Sequence, residues 1–200
     1  VGWRCTRTCW RHLIARGHAV TLFAASGSDP SLGLRAVCPP TGTPAEVLAR
    51  ERTALEEHRA YAAIVEEIAQ GGFNLVHNNS LHYLPLTEAA RMPVPMVTSF
   101  HCPPFMELEN GVVERSCQDL RFVAVSDVVG MWRHLVPVDT VIANGIDLDL
   151  FQPRTEPPPA PHAIWSGRLV PEKGAHLAIA AARRAGMPLR IAGPMNDAAY

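Results

Sequence analysis

Apolar residues along the chain follow two alternating rules, helical spacing in some segments and short unbroken runs in others. Trp10 to Arg16 has the character of a helix end, stopped by Gly17, and Ala19 to Ala25 forms the first apolar run, followed by a Gly/Ser/Asp/Pro loop. Pro44 to Ala69 predicts a long helix, because Val47, Leu48, Leu55, Tyr61, Ile64, Val65 and Ile68 fall mostly on one face. Gly71 and Gly72 end it, and Asn74 to His77 is the next short strand. A helix over Leu84 to Arg91, a strand over Pro95 to Phe100, a strand over Arg121 to Ser126, a helix over Asp127 to Leu135 and a strand over Thr140 to Ile142 continue the alternation. Gln152 to Pro161 is proline-rich and continues neither helix nor sheet, so it divides the chain. Beyond it a strand over 162–167, a helix over 174–185 stopped by Gly186 and a strand over 188–192 start a second unit.

Helices alternating with short continuous apolar strands predict an α/β protein whose parallel sheet is covered on both faces. Ligands of such folds bind beyond the carboxyl ends of the strands. That rule selects the polar or small residues just after the strands: Ser26, Asn78, Asn79, His101, Ser126, Asn144, Arg168 and Gly193.

Composition narrows the class. Hydrophobic residues make up 48% and charged residues 18% of 200 residues, enough for a substantial core. The formal net charge of −1, with acids and bases interspersed, gives no reason to expect nucleic acid as a partner. No apolar run reaches membrane-spanning length, so no transmembrane segment is expected. The five cysteines, Cys5, Cys9, Cys38, Cys102 and Cys117, are odd in number and scattered, which points to reduced thiols and a cytoplasmic protein. Cys5, Cys9 and His12 lack a fourth ligand at zinc-like spacing, so they do not make a metal site.

The strand ends carry the candidate chemistry. His101 closes Thr98-Ser99-Phe100 and precedes Pro103 and Pro104, which restrict the loop. There it can donate a hydrogen bond to a sugar hydroxyl, act as an acid or base, or simply bond a loop carbonyl. Cys102 beside it is no nucleophile partner, since adjacent residues on an extended segment point apart. Asn144-Gly145 is expected to be a turn with positive φ. Asp147-x-Asp149 resembles a metal-holding pair of another transferase fold, but the match is two residues long and no metal is assigned to it. His77 and His82 flank Asn78-Asn79-Ser80-Leu81, a candidate cleft-lining loop, and His58 is expected on a solvated helix face. The densest signal is Gly167-Arg168-Leu169-Val170-Pro171-Glu172-Lys173-Gly174. Two cations between a strand and a helix start add to the unpaired N–H groups and partial positive charge found there. Arg and Lys at such a place suit a multiply charged phosphate group.

Six ordered stretches together resemble one family. Arg16 to Phe23 resembles its early helix-to-strand turn, and Asn74-Leu75-Val76-His77 its next strand. Thr98-Ser99-Phe100-His101, Val123-Ala124-Val125-Ser126, Val141 to Asp147 and Gly167 to Gly174 are similar to its later strand ends and its phosphate loop. The family is that of the retaining glycosyltransferases of the GT-B fold, the family-four group. The resemblance implies two Rossmann-like domains facing across a cleft: an acceptor-side domain over residues 1–151, the linker 152–161, and the start of a nucleotide-sugar-binding domain over 162–200. It implies hexosyl transfer from a nucleoside-diphosphate sugar, with retention and without a metal or other cofactor, to an acceptor that is a sugar, a lipid-linked sugar or a small molecule. Arg168, Lys173 and Gly174 would bind the donor diphosphate, the two cations stabilising the leaving group. His101 would contact the transferred sugar, with Asn78, Ser126, Asn144 and Gly145 lining the cleft.

The family's first strand and glycine-rich loop have no recognisable counterpart in residues 1–10, and its later Glu-x7-Glu motif none before Tyr200. The expectation is therefore a fragment, inactive alone, of an active parent. A degenerate binding-only protein and a sugar-nucleotide epimerase of the same fold are the alternatives.

Overall fold

The computed structural model describes the backbone of residues 2–40, 47–153, 156 and 160–195, and the side chains of those residues except 2–8, 128 and 129. The chain divides into two compact units, Val1–Asp147 and Leu148–Tyr200. Residues 154–155 and 157–159 of the proline-rich stretch, and 44–46 at the expected start of the long helix, lie outside the described residues.

The first unit begins with α1 (Gly2–Ala15), followed by β1 (Leu22–Ala25) and β2 (Leu34–Cys38), a parallel pair. Helix α2 (Val47–Ala69) leads to β3 (Val76–Asn78), the single-turn α3 (Leu84–Thr87), β4 (Met96–Phe100), α4 (Met106–Val113), β5 (Arg121–Ala124) and β6 (Thr140–Val141). Strands β3 to β6 form one parallel sheet in the order β3-β4-β5-β6. In the second unit β7 (Ala163–Ser166), α5 (Ala175–Arg184) and β8 (Leu189–Ala192) make one β-α-β unit with parallel strands. The expected α/β class with parallel sheets is what the chain adopts.

Burial in the first unit centres on β4 and β5. Met96, Phe100, Phe122 and Ala124 share a cluster with Val65 and Ile68 of α2, Leu86 of α3, Leu108 and Val112 of α4, and Trp132 and Val136. Phe100 stacks on Phe122 with ring centres 5.4 Å apart and on Trp132 at 4.2 Å, the planes 9° from parallel in both pairs. An apolar stripe on each helix and strands apolar on both faces are what such burial requires.

Several expectations are corrected. β2 and α4 arise where only loops were expected. β2 carries Arg35 within its apolar residues and is held between Gly33 and Pro39, and so resembled the loop around it. The stretch 84–91 splits at Glu88 into α3 and a 3₁₀ turn over Ala89–Arg91, where Ser116 Oγ accepts the Ala90 N–H at 2.9 Å in place of a helical carbonyl. Asp127–His134 is a 3₁₀ helix rather than an α-helix; Gly130 within it lowers the α preference. Val47, Leu48 and Leu55 of α2 are exposed, so only its second half, through Ala60, Val65 and Ile68, serves the core. Neither Asn144 nor Gly145 has positive φ, and the segment is an irregular connection rather than a left-handed turn.

In the second unit one residue type is dictated by a close approach. A Cβ on Gly193 would stand 1.7 Å from the Gly167 carbonyl oxygen, where the chain leaves β7 and β8 side by side. The Gly167 N–H donates to Ala192 O at 3.0 Å and the Leu169 N–H to Pro194 O at 2.9 Å, prolonging the pairing past the strand ends. Gly193→Ala is expected to cost about 1–3 kcal/mol or more, and to abolish hydrogen-exchange protection at the Gly167 and Leu169 amides before that of β4 and β5. Unchanged protection at those two amides would show that the approach is not a constraint.

Candidate active site

Because β3, β4, β5 and β6 are parallel neighbours, the residues that follow them gather along one edge of the sheet. Asn78 ends β3, His101 follows β4, Ser126 follows β5, and Asn144 and Gly145 follow β6. Asn78 is buried and occupied: its Nδ2 donates to Thr98 Oγ1 at 3.3 Å, and its Oδ1 accepts from the N–H and the hydroxyl of Ser80 at 3.0 and 2.8 Å. It shapes the turn rather than presenting a free amide. Its neighbour Asn79 reaches the next strand end, with Oδ1 2.9 Å from His101 Nε2. Ser126 is half-buried at the start of the 3₁₀ helix, while Asn144 and Gly145 are exposed.

His101 is half-buried, and burial lowers its pKa below the usual histidine value, so the ring is neutral near pH 7. Its loop is anchored from a distant segment: Trp132 Nε1 donates to the Cys102 carbonyl at 2.9 Å while the indole stacks on Phe100. Burial also raises the Cys102 thiol pKa, which keeps it protonated rather than nucleophilic. On the other side of the edge, His77 Nε2 bonds Ser99 Oγ at 2.8 Å.

A second group of rings packs behind the loop after β3. His82 is buried between Tyr61 and Tyr83, both stacked on it at 4.5 Å. Its Nδ1 accepts the Leu84 N–H at 3.1 Å and so caps the first turn of α3. Nε2 therefore carries the hydrogen, 4.0 Å from Glu107 Oε1. Burial, and then the neighbouring His58, push the His82 pKa down to about 4. His58 is not on a solvated face as expected; it is half-buried and its Nδ1 is 3.0 Å from the Tyr83 hydroxyl. His77 and His82 are thus committed to different partners, not to a common metal.

In the second unit Arg168 follows β7, and Pro171–Lys173 forms a single 3₁₀ turn. Gly174 lies in the left-handed region at φ 69° and caps α5, its carbonyl accepting the N–H groups of Leu177 and Ala178 at 3.0 and 3.1 Å. A glycine fits this reversal because a side chain there is strained. Arg168 Nη2 donates to Glu172 Oε1 at 2.9 Å, across exposed side chains. Lys173 is exposed and takes part in no ion pair among the described residues. The geometry therefore joins Arg168, Lys173 and Gly174 in one loop of the second unit, and Asn78, His101, Ser126, Asn144 and Gly145 along one edge of the first.

A model of Glycosyltransferase Family 4 matches residues 3–150. The chain belongs to that family. No curated protein matches it. Family membership makes glycosyl transfer the chemistry to be explained, with a sugar donor and an acceptor as substrate classes. The match covers the edge that holds His101 and ends before Arg168, so the reading of the loop Gly167 to Gly174 rests on its own residues. No described helix is long and apolar enough to cross a membrane.

Trp132 and the bond from Asn79 to His101 were not anticipated. Asn79 carried a signal, as a polar residue just past a strand. Trp132 carried none, since its partner is a backbone carbonyl distant in sequence.

Protonating His82 would displace the Leu84 N–H and bury a charge, so the folded protein resists it. The unfolded histidine titrates near 6.5, and the folded one at about 4. The unfolded state therefore binds the extra proton in that window, and this contribution to stability is complete above 6.5 and disappears as pH falls to about 4. The stability difference between wild type and His82→Gln, from urea unfolding, should shrink between pH 7 and pH 4.5. A difference independent of pH would refute the assignment.

Proposed function

We propose that this protein transfers a hexosyl group from a nucleoside-diphosphate sugar to an acceptor with retention of configuration, using fixed cations in place of a metal. The observation that carries the reading is the loop Gly167 to Gly174, which follows a parallel strand and opens α5 with Arg168 and Lys173 on it. When the bond from the sugar to the diphosphate breaks, negative charge grows on the leaving phosphate. A guanidinium, an ammonium and a helix start nearby stabilise that charge without reorganising. The first unit, which carries the family match, takes the acceptor side, and residues 162–200 belong to the donor side. The acceptor is a sugar, a lipid-linked sugar or a small molecule.

His101 contacts the transferred sugar. Asn78, through its turn, and Ser126, Asn144 and Gly145, through their places past the strands, shape the edge at which the sugar sits. Being neutral, His101 acts through hydrogen bonding rather than charge, which suits a hydroxyl-rich group. The free thiols of Cys9, Cys38, Cys102 and Cys117 support a cytoplasmic setting.

The test is nucleotide binding and transfer. Arg168→Ala and Lys173→Ala should each weaken the binding of a nucleoside diphosphate, measured by titration calorimetry, by roughly tenfold or more, the loss expected for a charge-assisted hydrogen bond. Each should lower turnover by about two orders of magnitude. Unchanged binding and turnover in both variants would remove the diphosphate role.

A further inference from the structure

The two ring nitrogens of His101 lie in different surroundings, and the difference decides how the residue can act. Nε2 is 2.9 Å from Asn79 Oδ1. The orientation of the Asn79 amide is fixed from its other end, where Nδ2 donates to the His77 carbonyl at 3.3 Å. Turning the amide over would set an oxygen against that carbonyl and an N–H₂ group against the imidazole. Oδ1 is therefore the atom facing His101, and as an acceptor it requires a hydrogen on Nε2. Nδ1 is shielded from solvent and has no hydrogen-bond partner among the described residues. With the hydrogen on Nε2, Nδ1 leaves only a lone pair unsatisfied. The opposite tautomer would leave a buried N–H without an acceptor and set two lone pairs against each other at Nε2, losing both interactions at once.

The rest of the environment enforces the same state. His77, on the neighbouring strand, is exposed on one side and covered by Ser99 at Nε2, and burial and then His101 lower its own pKa. Burial lowers the pKa of both histidines, and both remain neutral. Cys102, next along the loop, stays a protonated thiol. The Trp132 bond to the Cys102 carbonyl holds the backbone that carries the ring.

We propose that Asn79 is a positioning residue for sugar transfer: its Oδ1 holds His101 as the neutral Nε2–H tautomer, so that His101 meets the transferred sugar as a hydrogen-bond donor and not as a base or a cation. A base needs an exposed lone pair, and the one lone pair on the ring is covered. A sugar hydroxyl approaching Nε2 can accept its hydrogen and give its own to Asn79 Oδ1, satisfying both groups that the approach separates. A deoxy or ether position cannot do both, so the pair also discriminates for a hydroxyl there. The proposal rests on the reading that His101 contacts the sugar.

The test separates the two claims. Long-range nitrogen–proton NMR of the histidine side chains, on the whole chain at neutral pH, should show His101 as the Nε2–H tautomer. In Asn79→Asp a carboxylate replaces the amide oxygen, and the His101 pKa should rise by roughly one unit or more. In Asn79→Ala the tautomer preference should be lost. A wild-type ring in the Nδ1–H form, or a His101 pKa unmoved in Asn79→Asp, would overturn the positioning role. In the transfer assay Asn79→Ala should lower kcat by about tenfold with little change in donor KM, and should reduce the preference for the hydroxylated sugar over its deoxy analogue. His101→Ala with wild-type turnover would defeat the sugar contact itself, whichever tautomer the NMR finds.

Discussion

Phe100 is where the first unit is tied together. Its ring stacks on Phe122 from the adjacent strand and on Trp132 from the 3₁₀ helix that follows. All three rings are almost wholly removed from solvent. Aromatic stacks of this kind add to simple area burial, and three large rings form a rigid block. The block is more than core, because Trp132 also uses its one polar atom, Nε1, to hold the Cys102 carbonyl. A buried indole N–H needs an acceptor, and here the acceptor is the first loop residue after His101. The packing of the sheet and the position of the histidine at its edge are thus one constraint. A side chain on a loop gains the precision of a strand when a core residue grips the loop beside it.

The histidines of this unit follow from the same principle. His58, His77, His82 and His101 each have a ring nitrogen facing a specific partner: a tyrosine hydroxyl, a serine hydroxyl, a backbone N–H and an asparagine amide. Partners that are themselves neutral cannot compensate a buried imidazolium. Burial keeps His77, His82 and His101 uncharged, and they behave as rigid polar connectors. That suits the proposed sugar contact at this edge, since hydroxyl groups call for directed donors and acceptors more than for net charge.

The strand ends were legible from the amino-acid order because parallel, doubly covered strands are short continuous apolar runs. The first polar residue after each run then marks the candidate edge. His101, Ser126 and Arg168 were found that way, and the structure places each just past a strand. The pattern was less able to find elements that lack it: β2 is interrupted by Arg35 and bounded by Gly33 and Pro39, and α4, with Glu107, Glu109 and Asn110 among its apolar residues, resembled a loop. Long-range polar bonds were not legible at all. The bonds from Trp132 to Cys102 and from Asn79 to His101 join residues 30 and 22 positions apart, and no local periodicity encodes such a meeting. The exposed first half of α2 erred in the other direction, since a helical stripe shows what can be buried without showing what covers it.

The ion pair between Arg168 and Glu172 looks at first like an obstacle to an anion site, because it occupies one of the two cations. Magnitudes decide otherwise. Both side chains are more than half exposed, and an exposed pair of this sort contributes only about 0–1 kcal/mol. In the proposed role, a diphosphate brings more charge than a carboxylate and would engage Lys173, Arg168 and the helix start together. A pair that weak would not hold Arg168 against such a ligand. What the pair can do is keep the guanidinium near the loop, four residues along the chain, while no ligand is present. Gly174 completes the arrangement: by reversing the backbone it ends the 3₁₀ turn that carries Lys173 and lets α5 start immediately, so cation and helix terminus fall within one residue of each other.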